Sequence, residues 1–238
     1  MKTILISILL LTSVSASETE IFFAYGDHNS PPYIELSSEG KVLGGLLYDL
    51  AKFVSHDLGL KLKMVHAPRS RLEELVKNGS IHLYCNSNKN WVSNANLYYW
   101  YEGVFEDENR VYALSPKHKY INSLDKIKTT LGAIKGFAYH PELENVFRDV
   151  GRYNLRSHEN LIKFLELKRI DFIISSKNVL EYYFKKKKVR PFPVTNFRSS
   201  FSYDCIISKK ITIDKEDLFK SIQKFKPLRD FPDTAAKK

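Results

Sequence analysis

An α/β fold in two similar lobes is what this sequence predicts, and three observations carry it. Between Gly44 and Asn88 the apolar residues change period repeatedly, from helix to strand to helix to strand, with short links. That order reads as a right-handed βαβ unit on a parallel sheet. A second segment echoes the first at a constant offset: Leu72, Leu75, Val76, Ile81 and Leu83 line up with Leu161, Phe164, Leu165, Ile170 and Phe172. The third is size and composition: 238 residues allow one large or two small cores, and 43% hydrophobic with 13% aromatic residues excludes general disorder.

Taken in order, the chain opens with Lys2, an apolar run from Ile4 to Leu11, and Val14-Ser15-Ala16. This is the pattern of a signal peptide at 1–16, cut after Ala16. The run is far short of the roughly 20 residues a membrane span needs, so a soluble, exported protein is expected. Residues 20–25 read as a buried strand. Pro31-Pro32 then holds the backbone extended before Tyr33, whose ring reads either as a platform for a ligand or as a cover for the lobe's own core. After a turn at Glu39-Gly40-Lys41, a Gly44-Gly45 pair precedes Leu46, Leu47, Leu50, Phe53, Val54 and Leu58, which recur with a helix period. Gly59 suits the left-handed position that ends a helix. Leu60, Leu62 and Met64 alternate with Lys61 and Lys63, as in a half-buried strand. Leu72, Leu75 and Val76 share a helix face that stops at Asn78-Gly79. Residues 81–85 form the next strand, with polar Asn86-Ser87-Asn88 at its C-terminal end.

Trp91, Tyr98, Tyr99, Trp100, Tyr101 and Phe105 make an aromatic set that must in part be core. Residues 110–114 read as a strand, 123–127 as a helical turn and 129–134 as another strand. Lys135-Gly136-Phe137 leads into His140-Pro141, where proline suits a first helical turn and the free N–H groups offer an anion site. A helix with Val179, Leu180, Tyr182 and Tyr183 follows, then a strand at 202–207. Asp214 is placed to cap a last helix whose apolar face is Leu218, Phe219, Ile222 and Phe225. Residues 230–238 read as a loose tail.

The precursor carries a formal charge of +10, and loss of Lys2 with the signal peptide leaves 36 basic against 27 acidic residues, +9. Lys185 to Lys188 are the densest basic run. It reads as an anion-binding patch or, with more weight, as a solvated helix end. No zinc-finger spacing or aromatic-basic strand motif points to nucleic acid, and no cofactor is indicated. Cys85 and Cys205 allow one pairing, which an oxidising compartment permits, or stand as two buried thiols.

The order of these segments resembles the extracellular solute-binding protein family 3, the binding proteins of polar amino-acid ABC import. The likeness covers nearly the whole mature chain. It rests on Pro31-Pro32-Tyr33 after the first strand, Gly44-Gly45-Leu46-Leu47-Tyr48-Asp49-Leu50, the 72–81 helix and strand, Leu124 to Ile127 followed by Leu131 to Gly136, Ile170-Asp171-Phe172, and the Cys205 strand before a terminal helix. The resemblance implies a type II periplasmic-binding fold, each lobe a mainly parallel sheet flanked by helices. It implies lobe 1 at 17–114 and 202–238, lobe 2 at 115–201, and a ligand trapped between them by hinge closure. It places Tyr33, Asn86, Ser87, Asn88, Lys135, Gly136, Phe137, Ser175 and Ser176 along the cleft. It also brings the strand of Cys205 back beside that of Cys85, where a disulfide is expected.

Departures from the family pattern are informative. The arginine that clamps an amino-acid carboxylate after the third strand is missing from 87–92, and Ser175-Ser176 stand where an acidic residue would hold the amine. This argues against an ordinary α-amino acid. Arg69 or Arg71 could supply the charge, as either could lie on the surface; Trp91 and Tyr101 could line an aromatic pocket. The expected function is a monomeric, non-catalytic binding protein for a small polar solute, serving a membrane transporter or sensor. The alternative is a lyase or dehydratase on the same scaffold, with His28, Glu35, His66 or His140 as acid or base. None of these sits in a catalytic spacing, and no Gly-x-Ser-x-Gly, His-Glu-x-x-His or phosphate loop occurs.

Overall fold

The computed structural model describes residues 20–227; the expected signal peptide at 1–16 and the expected loose tail at 230–238 lie outside them. The first part of the chain forms β1 (Glu20–Tyr25), β2 (Glu35–Leu36), β3 (Val42–Gly44), α1 (Leu46–Asp57), β4 (Lys61–His66), α2 (Arg69–Lys77) and β5 (Leu83–Ser87). A long strand, β6 (Tyr99–Ala113), leads to β7 (Leu131–Ile134), α3 (Pro141–Val150), β8 (Arg152–Leu155), α4 (His158–Glu166), β9 (Phe172–Ser176) and α5 (Lys177–Lys187). The chain returns through β10 (Phe192–Pro193) and β11 (Ser199–Ile207) to α6 (Lys215–Lys224).

Period-two alternation builds two half-cores on the faces of one sheet. Ile21, Phe23, Leu83, Cys85, Cys205 and Ile207 point to one side, where Leu46, Leu47, Leu50 and Val54 of α1 and Leu218 and Ile222 of α6 cover them. Their strand neighbours Ala24, Tyr84 and Ile206 point to the other, against Leu72 and Val76 of α2. The second half repeats the plan. Val111, Ala113, Leu131, Ala133, Phe172 and Ile174 pack on Leu143 and Phe147 of α3, while Tyr112, Ile134 and Ile173 pack on Leu161, Ile162 and Leu165 of α4 and Leu180 and Phe184 of α5.

The strands follow the order β4-β1-β5-β11-β6-β9-β7-β8, with β10 beside β6. β1 lies between β4 and β5 and is parallel to both, so the strands of the opening βαβ unit flank it rather than each other. β7 is parallel to β8 and β9. In this sheet each antiparallel pairing involves β6 or β11. β6 pairs antiparallel with β11 from Tyr99 to Asn109, then with β9 from Asn109 to Ala113. It therefore runs from the first half into the second. Val111, Tyr112 and Ala113, expected in lobe 1, pack in the second half. The strand read at 110–114 is the end of a fifteen-residue one.

Two glycines meet specific backbone demands, and the sequence suggested that of Gly59. Gly45 has φ 113°, and a Cβ there would lie 2.5 Å from the Tyr33 carbonyl oxygen, so only glycine lets α1 start against that segment. Gly59 has φ 66°, with its N–H donating to His56 O and Leu60 N–H to Ser55 O, which closes the end of α1. Asp214 caps α6 by accepting from the N–H groups of Glu216 and Asp217. Lys185 to Lys188 are all exposed at the end of α5. Cys85 and Cys205, on adjacent antiparallel strands, form a disulfide where β11 bulges between Asp204 and Ile206.

Candidate functional site

A cavity of about 410 Å³ opens between the two halves. Its walls come from the C-terminal ends of parallel strands and the loops that follow: His28 after β1, Arg69 after β4, Tyr84, Asn86, Asn90 and Trp91 on and after β5, the 136–139 loop after β7, and Ser176 ending β9. Asn109 of β6 with Phe201 and Tyr203 of β11 complete it. Carboxyl strand ends facing a shared gap are where ligands bind in open α/β sheets.

Polar groups gather on the side of the first half. Asn29 Nδ2 donates to Asn86 Oδ1 at 3.0 Å and to the Tyr84 hydroxyl at 3.1 Å, and its own Oδ1 accepts from Gly26 N–H. That fixes the Asn86 amide with its oxygen occupied and its NH2 left for the cavity. His28 Nε2 lies 2.9 Å from the Tyr84 hydroxyl. Burial, helped by the nearby Arg69 charge, lowers the His28 pKa to about 4, so the ring is neutral at physiological pH. Arg69 lies at the first position of α2 and pairs with Glu73 at 3.0 Å.

Aromatic rings make the walls. Phe201 and Tyr203 stand edge to face at 5.1 Å, with Trp91 5.6 and 6.1 Å from them. Phe137 and Tyr139 face them from the second half. Arg152 holds that loop: its Nη2 donates to the carbonyls of Ile134 and Phe137 at 2.7 and 2.8 Å, and its guanidinium covers the Tyr139 ring.

Behind the cavity, two polar ties join the halves. Buried Asp107, on β6, accepts from the Tyr33 hydroxyl at 2.8 Å, from Ser176 Oγ, and from the N–H groups of Glu108 and Asn178. Burial raises its pKa, opposed by these donors. The second tie is His158, whose Nδ1 lies 2.9 Å from Ser30 Oγ and whose Nε2 lies 2.8 Å from Ser175 Oγ. Replacing Asp107 with alanine removes the acceptor of the Tyr33 and Ser176 hydroxyl protons and of the Asn178 N–H. The variant should lose about 3 kcal/mol of unfolding free energy in urea, given about 1–3 kcal/mol for a stranded buried donor. A loss below about 1 kcal/mol would show the network to be dispensable.

The structure brings together Arg69, Asn86, Trp91, Gly136, Phe137 and Ser176 from the residues the sequence singled out. The others lie elsewhere. Tyr33 is buried, and its ring covers the core beside Phe105 and Tyr203. Arg71 and Lys135 are exposed outside the cavity lining. Ser87 is buried opposite Asp204, Asn88 caps the turn after β5 through Asn90 N–H, and Ser175 is held by His158. Tyr101 packs edge-on against Phe219. His140 accepts from Glu142 N–H and so occupies part of the expected anion site at the start of α3. His66 pairs with Asp27, and Glu35 lies on β2.

Sequence reading missed His28 as a lining residue, and Tyr84, Asn90, Asn109, Ala138, Tyr139, Phe201 and Tyr203 altogether. A usable signal was present: Tyr84 with Asn86, and Phe201 with Tyr203, sit two apart on strands and so share a face.

These two halves, joined by β6 and β11 and facing one cleft, define the two-lobed type II periplasmic-binding fold. Comparison with solved structures agrees. The chain is similar to an ancestral arginine-binding protein bound to glutamine (TM-score 0.67, 17% identity, 87% of this chain and 92% of that one covered). It is similar to AbpA, an amino acid ABC transporter substrate-binding protein from Streptococcus pneumoniae bound to L-arginine (0.68, 18%, 87% and 88%). It is also similar to an ancestral amino-acid-binding protein described as a precursor of cyclohexadienyl dehydratase (0.67, 14%, 86% and 88%). At such identities the likeness establishes the fold alone. No protein-family model and no curated protein matches the chain. Among the described residues no helix is long and apolar enough to cross a membrane, and no cluster of side chains could hold a metal ion.

Proposed function

We propose that this protein is a periplasmic solute-binding protein, exported by its signal peptide, that encloses a small polar solute between two lobes, 17–114 with 202–238 and 115–201, the first crossover running along β6 to the junction just beyond it. It serves an ABC transporter or a sensor as a monomer and does not transform its ligand. The observation that carries this reading is a cavity lined by strand ends from both halves, with polar groups on one side and rings on both. The structural neighbours named above, which bind amino acids, support the same reading.

The lyase alternative is disfavoured by the cavity's chemistry. Its lining contains no carboxyl group, and its only histidine, His28, has its pKa near 4, a weak base at neutral pH. His66, His140 and Glu35 do not line it. The test is a thermal-shift and native mass-spectrometry screen of the mature protein against amino acids and small organic acids. A cognate solute at one hundred times its Kd should stabilise the protein by about 2.7 kcal/mol and be recovered unchanged. Turnover of the bound compound would move the assignment to the enzyme.

A further inference from the structure

From the charge inventory of the cleft we infer that its solute is a small aromatic monocarboxylate without an ammonium group, such as an arylalkanoic acid. This rests on the solute-binding reading and narrows it.

Among the residues lining the cavity the one formal charge is Arg69, and no Asp or Glu is present. Buried Asp107 and Asp204 are not in the lining, and their oxygens already accept from Tyr33, Ser176, Glu108 and Asn178 and from Lys89, Gly103 and Ser202 respectively. An ammonium group enclosed here would lose its water and meet no counter-charge, which is costly. Cation–π attraction from the rings is weaker than that cost, and Arg69 would oppose it. The opposite charge is well provided for. The Arg69 guanidinium has five N–H donors and Glu73 engages one nitrogen. α2 begins at Arg69 with no acidic residue in its first turn, so the positive end of the helix adds to the field.

The remaining walls specify shape. Trp91, Phe201 and Tyr203 on one side oppose Phe137 and Tyr139 on the other. Trp91 and Phe137 are 44% and 38% exposed, high for large apolar side chains, and a flat ring between the walls would cover both. The amide NH2 of Asn86 can donate to a second oxygen of the solute. A cavity of about 410 Å³ suits a solute of one or two rings, near the lower end of the roughly 300–1,000 Å³ typical of ligand sites.

The experiment compares 3-phenylpropanoate with L-phenylalanine, which differ only in the α-ammonium group, and adds L-arginine and L-glutamine, by calorimetry and Trp fluorescence on the mature protein. The acid should bind at least about tenfold more tightly than any of the three amino acids. Arg69→Gln should weaken it by about tenfold to a hundredfold, the worth of a charge-assisted hydrogen bond. Arg71→Gln, which removes the same charge from outside the lining, should leave the affinity unchanged. Equal or tighter binding of an amino acid would overturn the inference while leaving the solute-binding reading intact. So would an equal response to the two arginine substitutions. Failure of 3-phenylpropanoate and its ring-substituted analogues to bind at millimolar concentration would also overturn it. If no compound of the wider screen bound either, the solute-binding reading would fall with it.

Discussion

Replacing Cys85 and Cys205 together by alanine is expected to lower the unfolding free energy by about 2–5 kcal/mol. The bond ties β5 to β11 across 120 residues of sequence, a loop that contains the whole second half of the fold. Cross-linking removes chain entropy from the unfolded state, and a loop of about 100 residues is worth about 4.7 kcal/mol on that account. Both cysteines are buried in the first half's core, so the pair also fills space there. Urea unfolding of the oxidised protein, the dithiothreitol-reduced protein and the double variant should give one large shift shared by the last two. A shift below about 1 kcal/mol would mean that β11 is held by its ladder and its packing alone.

Acid should destabilise the protein through buried His158 and partly buried His28. His158 is held near pKa 4 by burial, between Ser30 and Ser175. Burial and then Arg69 do the same to His28. In the unfolded chain both titrate near 6.5. Between those values the unfolded state binds more protons than the folded one, so stability is full above about pH 6.5 and falls as pH drops toward 4. At about pH 5 the loss amounts to about 2 kcal/mol for each histidine. The buried carboxylate Asp107, whose pKa is raised, acts in the opposite direction. A variant therefore isolates the histidine contribution. His158→Gln keeps a side chain that can both donate and accept, and its stability should change between pH 7.5 and 5 by about 2 kcal/mol less than that of the wild type. Equal pH dependence of the two proteins would show that His158 does not titrate in this range.

Both expectations depend on a core that was readable in advance. The helix period from Leu46 to Leu58, the alternation around Met64 and the echo of 72–83 in 161–172 each became an element with the expected apolar face turned inward. Turn chemistry was equally legible at Gly59 and Asp214, where one residue type meets a backbone demand. The aromatic run after Asn88 was not. Its residues divide between the cleft and the core, with Trp91 on the cavity and Tyr98 and Phe105 packed inside, and no local period separates them. β8 and β10 were missed because a four-residue and a two-residue strand carry too little pattern.

What the sequence determined by itself is the set of amphipathic pieces and the ends that cap them, because those follow from spacing within a dozen residues. What only the tertiary structure decided is which of their polar and aromatic groups meet. Arg69 and Arg71 are two apart on the same helix, and Ser175 and Ser176 are adjacent on one strand, yet one of each pair faces the cavity and the other does not. The difference is a rotation about the element's axis relative to a partner hundreds of atoms away. That rotation is set by the packing of α2 on the first half's sheet and by the pairing of β9 with β6 and β7.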